Sequence, residues 1–470
     1  MVRGFEPVAG VLRPGRNCWR VAQARRAAVL IDAADYFQNL AEALRQAQKS
    51  IMIVGWDFDG RIRLCPQHED CASLGDVLRA LVEARPELEV RILVWSGALV
   101  HTPGETMPLL LGAPWAKHPR IAIRLDTKHP LYASHHQKLV AIDDAIAFCG
   151  GIDLTVERWD TCGHEEVHPC RLMPDGKAYS PVHDVQMAVE GEAARAVAEV
   201  ARERWRLATG EALAVPECEG DYWPQRLEPD FADTPVAVAR TAPAYGGAPA
   251  VHEIEALTDD LLAAARRSIY IENQYLAASR VRRFLEESLA ARRGPEVVVV
   301  VRRASPGVLE RFVMGSNRDR LIRRLRHADR HNRLRIYYPV VAGKEAPCEV
   351  LIHAKVMIVD DTALRVGSAN LNNRSMGLDT ECDLAIEAGE EAERRAIAAV
   401  RDKLIGEHLG VAPADVAAAM ARHGSLIRGI ESCNRHARGL RPFPETDFNG
   451  PTEPITGTDF LDPRRPIALL

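Results

Sequence analysis

One pattern occurs twice in the 470-residue chain, and this repetition limits the possible folds more than any other feature. The stretch SHHQKLVAIDD (134–144) returns as LIHAKVMIVDD (351–361), with a His, a Lys and an Asp at the same spacing. His136 and His353 are 217 residues apart, and the Gly-Gly and Gly-Ser pairs that follow the two motifs share this offset. Two unrelated units could carry one motif by chance, but a common offset at separate places indicates an internal duplication.

The secondary-structure pattern also repeats. AEALRQAQKSIMIVGWDFD (41–59) and TDDLLAAARRSIYIENQYL (258–276) each predict an amphipathic helix followed by a buried strand. Further helices are predicted at 74–84 and 279–293, and further strands at 90–95, 120–125, 297–302 and 333–338. Helices that alternate with strands predict an α/β fold with mixed or largely parallel sheets, built as two similar α/β repeats.

The repeats suggest a division of the chain into five segments. They are an N-terminal segment (1–25), a first repeat (26–214), a linker rich in Pro, Asp and Glu (215–240), a second repeat (241–410), and a helical segment with a Pro-rich tail (411–470). A chain of this length is expected to form two or three domain-sized units.

Composition is that of a soluble globular protein, with 47% apolar and 27% charged residues. The formal charge of −5 favours no particular partner. None of the ten cysteines forms a C-x-x-C pair, which favours a reducing compartment over a disulfide scaffold. No run of eighteen apolar residues occurs, so we expect a cytoplasmic protein that can visit a membrane surface.

Four potential metal ligands lie close together in TCGHEEVHPC (161–170), namely Cys162, His164, His168 and Cys170. Thiolates and imidazoles can bind zinc, but these short spacings leave little chain to surround a tetrahedral ion. A polar loop is the favoured interpretation, and no metal or cofactor is expected, although the sequence leaves metal binding at 162–170 open.

The repeated His, Lys and Asp indicate chemistry at phosphorus. In a strand, His136 and Lys138 would share one face, as would His353 and Lys355, because side chains alternate with a period of two. The chain has only eight lysines, and two occupy this one position. One imidazole can act as a covalent nucleophile, the other can protonate a leaving oxygen, and the lysines can hold anionic oxygens without a metal.

Small residues follow each motif, in FCGGIDLT (148–155) and RVGSANLNNRS (365–375). Glycine permits close backbone approach to a ligand, and Ser368 and Asn370 can donate hydrogen bonds to phosphate oxygens. Asp153 stands where Asn370 stands in the second repeat, so the two halves of the expected pocket differ.

The motifs and their flanks, GWDFD (55–59), GGIDLTVERWD (150–160), PVHDVQ (181–186), IYIENQYL (269–276) and residues 351–376, resemble the phospholipase D superfamily. The hallmark of that superfamily is a duplicated His-x-Lys-x4-Asp motif, and the flanks are similar to eukaryotic-type phospholipases D and their bacterial relatives. The resemblance covers roughly residues 17 to 445. It implies a bilobal single chain with the active site at the interface of the repeats, a covalent phosphohistidine intermediate and a bacterial source.

The resemblance also implies roles for individual residues. His136 would be the nucleophile and His353 the general acid, although the reverse assignment stays open because the motifs are symmetric. The remaining roles implied are phosphate binding by Lys138, Lys355 and Asn370, orientation of the imidazoles by Asp184 and Glu381, and structural support by Asp143 and Asp360. Ala354 stands where a Ser is common in the family.

The substrate is less constrained than the chemistry. Residues 280–335 hold sixteen arginines against six acids, which could attract an anionic lipid surface or a nucleic-acid backbone, or could form a solvated helical face. We expect a phospholipase D acting on a phosphatidylcholine-like lipid at a membrane surface, with no obligate nucleic acid; the sequence does not indicate which protein partners it has. The alternatives are a metal-independent phosphodiesterase or nuclease, and a cardiolipin-synthase-like phosphatidyl transferase.

Overall fold

The computed structural model describes residues 10–97, 113–217, 220–303, 316–444, 452 and 462–465. Most of the predicted Pro-rich tail and part of the arginine-rich segment, residues 304–315, lie outside these residues.

The first half of the described chain alternates strands and helices as predicted. Its elements are β1 (Arg20–Ile31), α1 (Asp32–Gln46), β2 (Ser50–Gly55), α2 (Leu74–Ala84), β3 (Glu89–Trp95), β4 (Ile121–Asp126), β5 (Leu139–Ile142), β6 (Ile146–Gly150), β7 (Val182–His183), β8 (Val185–Gly191) and α3 (Glu192–Thr209).

The second half follows a similar order with additional short elements, and ends in a helical segment. Its elements are β9 (Phe231–Ala242), β10 (Val251–His252), α4 (Glu253–Ala264), β11 (Ser268–Asn273), α5 (Ser279–Ala290), β12 (Glu296–Val301), α6 (Ser316–Ala328), β13 (Leu334–Val341), β14 (Cys348–Glu349), β15 (Leu351–Ile352), β16 (Lys355–Val359), β17 (Ala363–Gly367), α7 (Asn373–Gly377), β18 (Glu381–Glu387), α8 (Glu391–Leu409), α9 (Pro413–His423), α10 (Leu426–Cys433) and β19 (Gly439–Pro442).

Strand pairing shows that the two halves are built alike around a central pair. The first strands of the two halves, β1 and β9, pair antiparallel with each other. Outward from β1 the order is β8, β6, β5, β2, β3, β4, and outward from β9 it is β18, β17, β16, β11, β12, β13. The three outer strands of each half are parallel, since helix-containing crossovers connect them. The fold is therefore the expected α/β pair of similar repeats, joined through one mixed sheet.

Apolar side chains cover both faces of this sheet. In β2, Ile51 and Ile53 pack in a cluster with α1 and α2, whereas Met52 and Val54 belong to the cluster that also contains α3 and α8. Helices α4, α5 and α6 cover the second half in a separate cluster, which includes Ile271. Strands buried on both faces are nearly continuous apolar runs, which explains the pattern of the sequence.

Two predicted segment boundaries fall inside strands. Strand β1 already begins at Arg20, before the predicted boundary at 25, and β9 occupies residues 231–242 of the region predicted to be mainly linker. The polar composition of the joining region hides β9, because its stability comes from pairing with β1 rather than from its own sequence.

Candidate active site

The two motif histidines each meet a carboxylate from the opposite half of the chain. His136 Nδ1 lies 2.9 Å from Glu381 Oε2, and His353 Nδ1 lies 2.6 Å from Asp184 Oδ2. The imidazoles retain some exposure, 16% for His136 and 12% for His353, while both carboxylates are buried. An imidazole whose Nδ1–H is held by a carboxylate presents Nε2 for chemistry. Each half thus supplies a histidine that the other half orients.

Backbone pairing between the halves creates this exchange. Strand β7 pairs in parallel with β15, and the His353 N–H donates to His183 O over 2.8 Å. In the other direction the His136 N–H donates to Thr380 O over 2.9 Å. The strands of the main sheet begin only at Leu139 and Lys355, so the histidines precede the strands on which they were predicted. Each histidine instead lies in a short segment that pairs with the opposite half.

Both motif lysines are buried beside the histidines, but they have different partners. Lys138 Nζ lies 3.0 Å from Asp153 Oδ2 and donates to His136 O. Lys355 Nζ donates to the backbone oxygen of His353 and lies 3.4 Å from Gln274 Oε1, with no carboxylate ion pair among the residues described. Burial lowers the pKa of Lys355 to about 7, and a bound anion would favour its charged form.

The motif aspartates hold the backbone in the same way in both halves. Asp143 accepts hydrogen bonds from the backbone N–H groups of residues 48, 49 and 50, at 2.5–2.8 Å. Asp360 accepts three from residues 266, 267 and 268, each at 2.7 Å. Both aspartates have positive φ, 51° and 54°, in the hairpin turns that end β5 and β16. A carboxylate that accepts several backbone N–H groups fixes the start of a strand, here β2 and β11.

The small residues after the motifs contact the orienting carboxylates. A Cβ on Gly151 would lie 2.0 Å from Asp184 Oδ1, so only glycine leaves room for that carboxylate. Its counterpart in the second half, Ser368, donates its hydroxyl hydrogen to Glu381 Oε2 over 2.5 Å. Because serine has one O–H donor, the predicted phosphate contact of Ser368 does not fit this arrangement. Ser368 instead fixes Glu381.

Asn370 and its counterpart Asp153 differ as the sequence predicted. Asp153 is bound to Lys138 and also accepts from the Trp56 N–H over 2.9 Å. Asn370 is 4% exposed, and its Oδ1 accepts no hydrogen bond from the described residues. An amide N–H can donate to an anion whereas the Asp153 carboxylate cannot, so Asn370 is the better candidate ligand for an anion.

The electrostatic surroundings of the two histidines are unequal. Burial, together with the Lys138 and Lys355 charges, lowers the pKa of His136 well below its usual value, and burial and Lys355 lower that of His353 to about 3. Burial raises the pKa of Glu381 to about 7, whereas the His353 and Lys355 charges overcome burial and lower that of Asp184 to about 2. An ionised Asp184 favours a protonated His353 once an anion enters the site.

Arg158 is a candidate site residue that the sequence did not reveal. Its charge acts on His353, Lys355 and Asp153, and its Nε is buried without a hydrogen-bond partner among the described residues. The position 217 residues later is Ser375, so the repeat gives no signal for an arginine here.

The four potential metal ligands of residues 161–170 do not come together. Cys162 is exposed, His168 packs against Trp159 with ring centroids 5.1 Å apart, and His164 is buried among carboxylates. Among the described side chains, no group of potential ligands combines these four residues. The loop instead contributes His164 to a different cluster.

Several arginines of the arginine-rich segment form ion pairs within their own half. Its described ion pairs include Arg280–Asp259, Arg282–Glu286, Arg303–Glu349, Arg324–Glu286 and Arg335–Glu431. Leu321, Ile322 and Leu325 are buried, as a solvated helical face requires. Contact with a membrane stays a prediction; within the described chain no helix has the length and apolar character needed to cross one.

Fold and site together define a class of proteins in which two similar α/β repeats share one paired His–Lys site. Residues 43–222 match the family model described as Phospholipase D, and residues 259–398 match the one described as Cardiolipin synthase, PLD-like domain. The chain belongs to the phospholipase D superfamily.

Individual relatives agree with this assignment. Phospholipase D A of Dictyostelium discoideum is 24% identical over 476 residues, covering 82% of this chain and 35% of the relative. Phospholipase D C of the same organism is 29% identical over 212 residues, covering 37% and 12%. This chain thus spans about a third or less of their length. The crystal structure of phosphatidylserine synthase from Haemophilus influenzae Rd KW20 has a similar fold, with a TM-score of 0.56 at 14% identity, over 88% of this chain and 98% of that one.

Proposed function

We propose that the chain is a phospholipase D that hydrolyses a phosphatidylcholine-like glycerophospholipid to phosphatidate and a head-group alcohol. The reaction would pass through a covalent phosphohistidine and could transfer the phosphatidyl group to another alcohol. The observation that carries the proposal is the reciprocal pairing of His136 with Glu381 and of His353 with Asp184. Two oriented imidazoles beside two buried lysines suit displacement at phosphorus, and no step is assigned to a metal.

We assign the nucleophilic role to His136, as the resemblance implies; burial lowers the pKa of both histidines, so His353 takes up its proton when the anionic substrate binds. An attacking imidazole must have an unprotonated Nε2, and His136 lies beside a carboxylate whose pKa burial raises to about 7. The leaving alkoxide needs a proton, and His353 lies beside Asp184, which is ionised at neutral pH. In the first step the His136 Nε2–P bond forms, the P–O bond to the head group breaks, and the His353 Nε2 proton passes to the leaving oxygen.

The second step reverses these roles. Neutral His353 takes a proton from water while the water oxygen attacks phosphorus, and the P–N bond to His136 breaks. Phosphatidate leaves, and His353 is again protonated for the next cycle. A primary alcohol in place of water would give a phosphatidyl alcohol by the same movements. Lys138, Lys355, Asn370 and Arg158 are proposed to hold the anionic oxygens.

The activity test offers the purified chain mixed micelles of phosphatidylcholine, phosphatidylglycerol and cardiolipin with a primary alcohol and no added divalent cation. Formation of phosphatidyl alcohol supports the proposal. His136→Ala and His353→Ala should each reduce turnover by orders of magnitude. Plasmid nicking without lipid turnover would replace the proposal with the nuclease alternative.

A second experiment separates the two histidines. His353→Asn is given a phosphatidyl ester of a good leaving group, such as p-nitrophenol, which departs without a proton. We expect one burst of p-nitrophenol per chain and a phosphatidyl adduct on His136. The adduct should persist because the variant lacks His353, the base that activates water to hydrolyse the phosphohistidine. His136→Asn is the matched control and should give no burst. An adduct on His353 in His136→Asn would establish the reverse assignment.

The family model matched by residues 259–398 supports a second candidate, phosphatidyl transfer of the cardiolipin-synthase type. The chemistry is the same, and only the acceptor differs. Competition between water, glycerol, serine and phosphatidylglycerol in one assay distinguishes the candidates. Preferential transfer to phosphatidylglycerol at equal acceptor concentration would support the transferase and contradict hydrolysis as the main activity.

A further inference from the structure

A second cluster of histidines and carboxylates lies behind the catalytic pairs. Glu407 Oε1 lies 2.9 Å from His164 Nε2 and 2.8 Å from His183 Nδ1. Asp32 Oδ1 lies 3.1 Å from His183 Nδ1, and Asp32 Oδ2 lies 3.4 Å from His164 Nε2. These donor atoms all lie within 4.8 Å of one another. Ligands of a tetrahedral zinc ion, at bond lengths of about 2.0–2.1 Å, are about 3.3 Å apart, so the spacing suits one such ion.

The outer nitrogens of both histidines are also held by carboxylates. His164 Nδ1 lies 3.0 Å from Asp160 Oδ2, and His183 Nε2 lies 2.7 Å from Glu272 Oε2. Asp160 is fixed in turn by Arg171, over 2.9 Å. A carboxylate on the far nitrogen of a ligating histidine sets its tautomer and strengthens it as a ligand. Both histidines therefore present to the centre of the cluster the nitrogen that would carry a metal.

Within the part of the chain that the structure describes, Asp32 has no hydrogen-bond donor when both histidines are neutral and direct their N–H groups to Asp160 and Glu272. Its side chain is 1% exposed, and neither carboxylate oxygen accepts a hydrogen bond from the described residues. A buried carboxylate without a donor is costly unless a cation meets it. Asp32 faces the same point as the other three donors.

We propose a structural site for one divalent transition-metal ion of the zinc class, with four ligands: Asp32, His164, His183 and Glu407. Two carboxylates and two neutral imidazoles balance the charge of such an ion, and four protein ligands close the site to substrate. The competing interpretation is a metal-free network in which both histidines are protonated. In that network the His183 Nδ1–H and the His164 Nε2–H would both lie between Glu407 and Asp32, so the metal content of the protein distinguishes the two interpretations.

The position of the site gives it a role in joining the halves. Three ligands come from the first half, and Glu407 comes from α8 in the second half. His183 precedes Asp184 and accepts the backbone N–H of His353, while the Asp32 N–H donates to Asp184 O over 2.8 Å. The ion would thus anchor the backbone on both sides of the carboxylate that orients His353, without contacting substrate.

The first test measures metal content by elemental analysis on the full chain, produced in zinc-supplemented medium and dialysed extensively. We expect about one ion per chain, and less than about half an ion per chain overturns the proposal. Cobalt exchanged into the site should show visible bands of four-coordinate Co²⁺ without thiolate charge-transfer bands. Thiolate bands would place the ion at the cysteines of residues 161–170 and also overturn it.

The second test compares His164→Gln and Glu407→Gln with His168→Gln, a control in the same loop as His164. The first two should lose the ion, and their unfolding midpoints should fall by about 5 °C or more, while the control keeps both. Full metal content in either ligand variant overturns the proposal. If the ligand variants do not fold, the native metal content and the cobalt spectrum decide. None of these measurements depends on phospholipase activity, so this proposal can fail independently of the proposed function.

Discussion

Replacing Glu381 by Gln tests both the cost of burying this carboxylate and its role beside His136. Burial raises the pKa of Glu381 from its ordinary value of 4.5 to about 7, against hydrogen bonds from Ser368 and Ser375 and the lysine charges that lower it. At about 1.36 kcal/mol per pKa unit, this corresponds to about 3 kcal/mol. Glu381 is fully buried, so solvent screening does not reduce this figure greatly.

The sign of the stability effect follows from proton binding. The folded state holds the Glu381 proton more tightly than the unfolded chain does, so its stabilising contribution is complete below about pH 4.5 and is lost as pH rises through about 7. Glutamine has no such ionisation. The free energy of unfolding of Glu381→Gln minus that of the native chain should therefore rise by about 3 kcal/mol between pH 5 and pH 8.

Glu381→Gln should lose activity at the pH where its relative stability rises. Only ionised Glu381 gives the His136 Nδ1–H a charged acceptor, and hydrogen bonds to charged groups contribute about 1.5–3 kcal/mol. The kcat of Glu381→Gln should therefore be roughly ten- to 150-fold below that of the native chain at pH 8. The native profile of kcat/KM should decline below about pH 7 as the His136–Glu381 pair takes up a proton. Glu381→Gln should lack this decline.

Urea unfolding monitored by tryptophan fluorescence at each pH gives the stability curve, and release of head-group alcohol gives the activity profile. Glu387→Gln is the matched control, since Glu387 lies at the far end of β18 and accepts from the Val11 and Leu12 N–H groups. The control should retain kcat and the pH profile. The reasoning is refuted if the stability difference stays within about 0.5 kcal/mol across the range, or if the variant keeps the acid decline.

Three further sets of substitutions test the Lys138–Asp153 ion pair, the turns held by Asp143 and Asp360, and the contact of Arg158 with an anion. Lys138→Met leaves Asp153 as an uncompensated buried charge and should cost about 3–5 kcal/mol by urea unfolding, of which Lys138→Met/Asp153→Asn should recover a large part; no recovery would contradict the ion-pair argument. Asp143→Ala and Asp360→Ala each remove the acceptor of three backbone N–H groups and should each lower the free energy of unfolding by about 1–3 kcal/mol. A loss of stability in only one of the two variants would show that the two aspartates are not equivalent. Arg158→Gln should raise the inhibition constant for inorganic phosphate about tenfold with little change in unfolding midpoint, and an unchanged constant would remove Arg158 from the anion site.

The sequence predicted the α/β repeats because their signals are local. The apolar runs of β2 and β11 follow amphipathic helices at nearly the same offset as the motifs, and such patterns fix the element type without knowledge of the fold. The two long central strands β1 and β9 give weaker signals in the sequence. They contain charged and polar residues, and their partners lie far away in sequence.

Some candidate site residues can be found from the sequence, and others only from the structure. The resemblance carried by the motifs selected His136, His353 and the carboxylates that the structure places beside them. The residue types after the motif suggested Ser368 as a phosphate contact, whereas packing turns this hydroxyl toward Glu381. Arg158 has no counterpart in the repeat, so only its position in space identifies it.

By itself, the sequence determined that the chain is duplicated, that each half carries a His–Lys pair, and that the elements alternate as α/β repeats. Tertiary structure alone decided that each histidine is oriented by the opposite half, because that exchange depends on the pairing of β7 with β15 and of His136 with Thr380. It also decided that His164 joins Asp32, His183 and Glu407 rather than the cysteines near it in sequence. The physical reason is the same in both cases. Burial stabilises contacts between segments that are distant in sequence, and local sequence patterns do not specify which of these segments come into contact.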